Sequence, residues 1–305
     1  MKRESFRINS NVVYYLVFNA YLFIILSVIV MGKRETRIAD KSILKSSDLI
    51  DAKELSVAKA VNKYVNSVTA YVGSIADDLD VGSIVIGVKQ ATANSGYYGE
   101  VSSILNSGFS EQTNLSAQLY KNLYGENYFF SDGSLIAMNQ LKTISLLQSN
   151  AVGDAFATKV VQAIAGGSEK QVILRQINNQ FGKELFNQAK TIINTSTNAA
   201  YTEANVLLAE DAGITHFEYS GSLIATSRPF CVEHLGEVRT TDEWNELDNG
   251  QIGPVSIYLG GWNCRHSFFG VFDESDSLNT KKEIKDNQRL VDSKKEFRKL
   301  VKDAS

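Results

Sequence analysis

The sequence predicts an α+β chain: a mostly helical amino-terminal region, a small antiparallel-sheet domain, and a terminal charged helix. Three observations lead there. Over residues 42–80 and 136–211, apolar side chains recur at three- and four-residue steps, the period of one helix face. At Gly213 that period gives way to short runs of β-branched and aromatic residues between turn signals, as strands require. Finally, the two Cys, three His, two Trp and two Pro all fall between His216 and His266. The chemically capable residues are therefore concentrated in the sheet region, and function is sought there first.

Composition bounds the rest. The chain has 305 residues, 44% of them apolar and 21% charged, which is globular composition and ample for a core. A net charge of −3 excludes a generally basic protein that coats nucleic acid, while leaving room for a local basic patch. Two Cys exclude a disulfide-dense secreted scaffold.

Residues 12–31 read VVYYLVFNAYLFIILSVIVM, uncharged and broken only by Asn19 and Ser27. About twenty such residues span a bilayer core of roughly 30 Å. Lys2, Arg3 and Arg7 precede the stretch and Lys33, Arg34 and Arg37 follow it, so the positive-inside rule assigns no orientation. From Met31 the chain reads MGKRETRIAD, which looks like a soluble start. Residues 1–31 thus read as a transmembrane helix or as a mis-set start; a buried core helix is the third reading.

The next elements follow in order. Over residues 42–80, Leu44, Leu49, Leu55, Val61, Tyr64, Val65, Val68 and Val72 mark a helix, with Ser47 or Asp48 at its start. Residues 81–135, rich in Gly, Ser and Asn, read as short helices and loops. Helices resume at Met138 and again at Gly153, and stop at Gly166-Gly167. Ser168 is the expected cap of the next, and Gly182 separates it from a long helix ending at Gly213. Inside that long helix the run Asn194-Thr195-Ser196-Thr197-Asn198 is a polar interruption. Strands are expected over residues 214–219 and 222–226 as a hairpin, and over 255–259 and 264–272. Thr240 or Thr241 caps a short helix between them. From Asn279 a charged helix carries nine Lys/Arg against four Asp/Glu between Lys281 and Lys302.

One constellation carries chemistry. Cys231-Val-Glu-His234 and Cys264-Arg-His266 give C-x2-H, a 29-residue gap, and C-x-H. Two thiolates and two imidazoles suit tetrahedral zinc. In a strand, positions 264 and 266 share a face and can meet the C-x2-H turn. Four protein ligands leave no open coordination position, which makes such a zinc structural. A Cys231–Cys264 disulfide, or buried cysteines with ordinary polar histidines, are the alternatives. Packing or surface exposure, rather than ligation, is expected of His216. Arg228 and Arg265 are placed to pair with Asp242, Glu243 or Glu246. No phosphate-binding glycine loop, H-E-x-x-H or G-x-S-x-G is present.

Residues 190–272 resemble the carboxy-terminal domain of phage head morphogenesis proteins, the Mu F-like minor head proteins. The resemblance rests on a polar-interrupted helix with Thr195, Asn198, Ala204 and Asn205, then on Ser227-Arg228-x-x-Cys231-x4-Gly236-x-Val238, and on Gly260-x-x-Asn263-Cys264-Arg265-His266. The Arg-Thr-Glu frequent in the family's helix is Asn194-Thr195-Ser196 here. The chain thus divides into 1–31, a transmembrane helix or mis-set start, a helical region at 32–183, the Mu F-like α+β domain at 184–275, and a basic helical tail at 276–305; the resemblance itself covers about a quarter of the chain. It implies a non-enzymatic, low-copy minor head protein acting in head morphogenesis and in DNA packaging or ejection. Its partners would be the portal protein and other head proteins, inside the virion head after assembly in the host cytoplasm. A membrane enters only if residues 12–31 are translated. Arg228, Gly236, Asn263 and Arg265 would be motif residues of structural role. Lys281, Lys282, Lys285, Arg289, Lys294, Lys295, Arg298 and Lys299 would contact portal or packaged DNA, the latter salt-dependently. The alternatives are a toxin-like effector or a membrane-anchored binding protein that uses the Cys/His cluster.

Overall fold

The computed structural model describes residues 10–75, 80–125, 129–224 and 226–271, with side chains from residue 37 onward apart from Val81. It has the expected α+β organisation, a large helical body followed by one three-stranded antiparallel sheet. Helix α1 runs Ser10–Ser74, α2 Val81–Ser95, α3 Tyr97–Tyr124 and α4 Asp132–Ala165. After α5 (Lys170–Gln176), one π-helical turn leads straight into α6, Gly182–Asp211. Among the residues with described side chains, no helix is long and apolar enough to cross a membrane. The apolar stretch 12–31 lies upstream of these side chains, and the basic tail from Lys281 lies outside the described residues.

Residues 81–135 are a correction. Val81–Ser95 and Tyr97–Tyr124 form two helices of 15 and 28 residues, in place of the expected loops with short helical pieces. Asp80 caps α2 by accepting from the Ser83 amide at 3.0 Å. The small residues that weakened the helical pattern of α3 are its packing surface. Gly108, Gln112 and Ser116 are buried, and the side chain of Ser116 donates to the Tyr201 carbonyl on α6. Close approach between helices favours small side chains, and burial overrides their modest helix propensity. Likewise, the two expected helices from Met138 and Gly153 are one, α4, capped by Ser131. Tyr64 donates a hydrogen bond to the Gly153 carbonyl from across the core.

Ser168 does not cap α5, which starts at Lys170 with no side-chain cap bond. Gly182 does not separate helices. A Cβ at Gly182 would stand 2.8 Å from the Ile177 carbonyl oxygen, which accepts the π-turn bond from the Gly182 amide, so glycine permits the continuous path.

Helix α6 is the spine. It packs on α1, α3 and α4, and its carboxy-terminal half also carries the sheet. Two apolar clusters result. One is built of Val57, Val61, Tyr64, Val68, Leu105 and Ile193 within the helical body. The other joins Ala39, Tyr120, Tyr201 and Leu208 from the helices to Phe217, Tyr219, Trp244 and Phe268 of the sheet region. The α+β part therefore shares helices with the body and borrows much of its core from them.

The sheet has the order β2-β1-β3, with β1 (His216–Ser220) central, β2 at Val238–Thr240 and β3 at Ser267–Val271. Both pairings are antiparallel, with Phe217 opposite Arg239 on one side and Gly270 on the other. Three expectations change here. Residues 222–224 are not a strand, because both edges of β1 are taken by β2 and β3. Residues 255–258 form a short helix, α9, preceded by Pro254. Cys264 and His266 precede β3 instead of lying in it. Two short helices complete the region, α7 (Pro229–His234) and α8 (Thr241–Asn245). Thr240 caps α8 in a full capping box with Glu243. Trp244 on α8 is wholly buried and donates from its indole to the Phe217 carbonyl.

Candidate metal centre

Two segments build the site. Pro229 occupies the first turn of α7 and sets the helix that carries Cys231. The second segment, Gly260 to His266, leaves α9 through Leu259 (φ 52°), Gly261 (φ 89°) and Asn263 (φ 57°), three left-handed residues that fold it tightly. Arg228 locks the two together: its guanidinium donates to the carbonyls of Gly260, at 2.9 Å, and Trp262. Gly260 lies against the sulfurs, and a Cβ there would overlap Cys231 Sγ.

The polar run of α6 grips the same segment. The Asn263 amide donates to Thr195 Oγ1 at 2.9 Å, Asn198 Nδ2 to the His266 carbonyl at 2.9 Å, and Asn205 Nδ2 to Ser267 Oγ at 3.1 Å. The run expected to interrupt the helix is thus buried in an unbroken one, where its side chains satisfy an irregular loop. Arg265 reaches out to α1, with Asp51 at 2.9 Å and the Ser47 carbonyl at 3.3 Å. Neither arginine has the expected partner among Asp242, Glu243 and Glu246. The geometry instead uses them as ties between segments. Gly236, in the left-handed region at φ 79°, turns the chain so that its amide donates to the Tyr219 carbonyl.

Cys231, Cys264 and His266 meet, their ligand atoms all within 4.8 Å of one another. They are 2%, 4% and 5% exposed. The sulfurs are 4.0 Å apart, and Cys264 Sγ lies 3.5 Å from His266 Nδ1. A disulfide needs a separation of about 2.05 Å, so the two are free thiols here. His234 is not in the group. Its Nδ1 pairs with Glu237 Oε2 at 2.9 Å, and its ring packs on Phe230. The C-x2-H spacing placed both side chains on α7, but the imidazole packs between Phe230 and Trp244, outside the sulfur group. His216 sits at the start of β1 with Nδ1 3.2 Å from Thr215 Oγ1.

Tyr219, expected only as a strand residue, completes the cluster. Its hydroxyl donates to Cys231 Sγ at 3.2 Å and stands 3.5 Å from Cys264 Sγ. Nothing in the one-dimensional spacing pointed to it, because it is twelve positions before Cys231 and on the central strand. Hydrogen bonding from Cys231 outweighs burial and, with His266 and Tyr219, holds the Cys264 thiol well below its ordinary range. The same sharing, together with burial, pushes the Cys231 thiol up. Burial and the two adjacent sulfurs raise the Tyr219 phenol.

A tetrahedral zinc, with Zn–S near 2.3 Å and Zn–N near 2.0–2.1 Å, sets two sulfurs about 3.8 Å apart and a sulfur and nitrogen about 3.6 Å apart. The observed separations of 4.0 and 3.5 Å match these edges to a few tenths of an ångström. The donor set and its spacing are therefore able to hold a soft divalent metal. The chain matches no protein-family model, no curated protein and no solved structure.

Proposed function

We propose that the protein is a non-enzymatic minor head protein of a phage or prophage, whose α+β region is a docking module clasped by a structural zinc. The observation that carries this reading is the convergence of the two halves of the resembling motif. Arg228, Cys231 and Gly236 come from one segment, and Gly260, Asn263, Cys264, Arg265 and His266 from another, yet their contacts are with each other and with α1, α6 and β1. The hydrogen bonds of Arg228, Asn263 and Arg265 run between segments and hold them together. The sulfurs are buried, which suits a clasp and offers a substrate no approach. Zinc bound by Cys231, Cys264 and His266 would neutralise the thiolates and tie α7 to the loop before β3. The portal protein and other head proteins are the proposed partners, and the basic tail from Lys281 is the proposed contact to portal or packaged DNA.

Particle composition tests this. DNA-filled heads from the induced phage or prophage should contain the chain at low copy, and a tagged form should co-purify with portal protein. A chain absent from purified particles and from portal complexes would overturn the reading.

A further inference from the structure

We infer that Tyr219 supplies the fourth ligand of this centre through its phenolic oxygen, giving a closed site of two sulfurs, one nitrogen and one oxygen. The inference rests on the proposal that the Cys/His cluster binds metal and specifies how.

The geometry singles out that oxygen. A metal at about 2.0–2.2 Å from an oxygen and about 2.3 Å from a sulfur sets the two roughly 3.5 Å apart. The Tyr219 hydroxyl lies 3.2 Å from one sulfur and 3.5 Å from the other. With the sulfur–sulfur and sulfur–nitrogen separations of 4.0 and 3.5 Å, four edges of one tetrahedron are present before any metal enters. The competing residue, His234, falls outside the group whose ligand atoms lie within 4.8 Å of one another, and its ring packs on Phe230 at 4.4 Å. Tyr219 is fully buried, with its ring fixed between Trp244 (5.7 Å), Phe268 (5.7 Å) and His266 (5.1 Å), so its oxygen has little freedom to withdraw. Gly260 closes the neighbouring side: a Cβ there would stand 3.1 Å from the hydroxyl and 3.4 Å from Cys264 Sγ. Binding would form the oxygen–metal bond and release the phenol proton to the buffer.

The consequence is functional. Three ligands would leave a position where a metal could activate water, whereas four make the centre inert and structural. The tie would also run from the central strand to both motif segments.

The test is cobalt(II) loading of the metal-stripped full-length chain, read by absorption. Wild type is expected to show sulfur-to-cobalt charge transfer, tetrahedral ligand-field bands and the near-ultraviolet difference band of a phenolate. Tyr219→Phe should keep the charge transfer, lose the phenolate band and bind at least about tenfold more weakly, the loss that even an outer-shell partner carries. His234→Ala should change none of these. Charge transfer without a phenolate band in wild type, or unchanged affinity in Tyr219→Phe, overturns the Tyr219 assignment and leaves the three-residue metal site standing. No charge transfer in wild type removes the metal itself. If Tyr219→Phe fails to fold, the phenolate band of the wild type decides.

Discussion

The helical body and the sheet region are stabilised by different means. In the body, long helices bury aliphatic side chains spaced along one face, such as Val57, Val61, Val68 and Leu105. No single contact is indispensable, because the apolar area is spread over many turns. The sheet region has strands of five, three and five residues, and its core depends on a few large aromatic rings and on helices of the body. Its connecting segments are irregular and held by specific polar bonds from Arg228, Thr195 and Asn198, and by the sulfur cluster. A region too small to bury its own irregular backbone needs ties, and residues that make ties are chemically distinctive. Ties of this kind account for the scarce residue types that crowd there.

Large-to-small substitutions separate the two regions most strongly. Trp244→Ala should cost about 3–5 kcal/mol and also weaken metal binding, since the ring packs at 5.7 Å against Tyr219. Leu105→Ala should cost about 2–5 kcal/mol and leave metal affinity unchanged, because it lies in the other cluster. Denaturant unfolding with parallel metal titration checks both, and equal effects on affinity would erase the distinction. Asn198→Ala comes next. It strands the buried His266 carbonyl and should cost about 1–3 kcal/mol by the same measurement.

An effect that depends on pH is expected from Glu203, on the spine shared by both regions. Burial, reinforced by Glu210, pushes its carboxyl up from 4.5 to about 7. The folded chain therefore holds this proton more tightly than the unfolded chain, and stability falls as pH rises from 4.5 toward 7. Glu203→Gln should stabilise the protein at about pH 8 and make little difference at about pH 4, as thermal unfolding at the two values will show. The smallest effect belongs to Arg265→Ala. Its pair with Asp51 is largely exposed on the carboxylate side, so thermal unfolding should change by less than about 1 kcal/mol.

The same contrast decides what was legible in the sequence. The helices of the body could be read where apolar spacing was regular, as for Val61, Val65, Val68 and Val72. They were missed where small and polar residues such as Gly108, Gln112 and Ser116 form the interface, because a buried small residue resembles a loop residue in one dimension. Strand β1 and the Thr240 cap were visible from local chemistry. The β2 partner was not, since it returns after seventeen intervening residues and competes with a nearer hairpin. Of the four candidate ligands, Cys231, Cys264 and His266 meet as spacing suggested. His234 does not: its ring packs between Phe230 and Trp244, away from the sulfurs. Tyr219 was illegible because strand order, and not spacing, brings it to the sulfurs.

We propose that a metal clasp adds to apolar burial in holding the sheet region. Both tryptophans, Trp244 and Trp262, lie in that region, so their fluorescence reports it, while far-ultraviolet dichroism reports mainly the helical body. Thermal unfolding of the full-length, zinc-loaded chain should therefore be followed by both signals, with and without a strong chelator. The account predicts stoichiometric zinc, and a fluorescence midpoint that drops by about 5 °C or more on chelation and precedes the dichroism transition. A chain that carries no zinc, with coincident midpoints unmoved by the chelator, would contradict it.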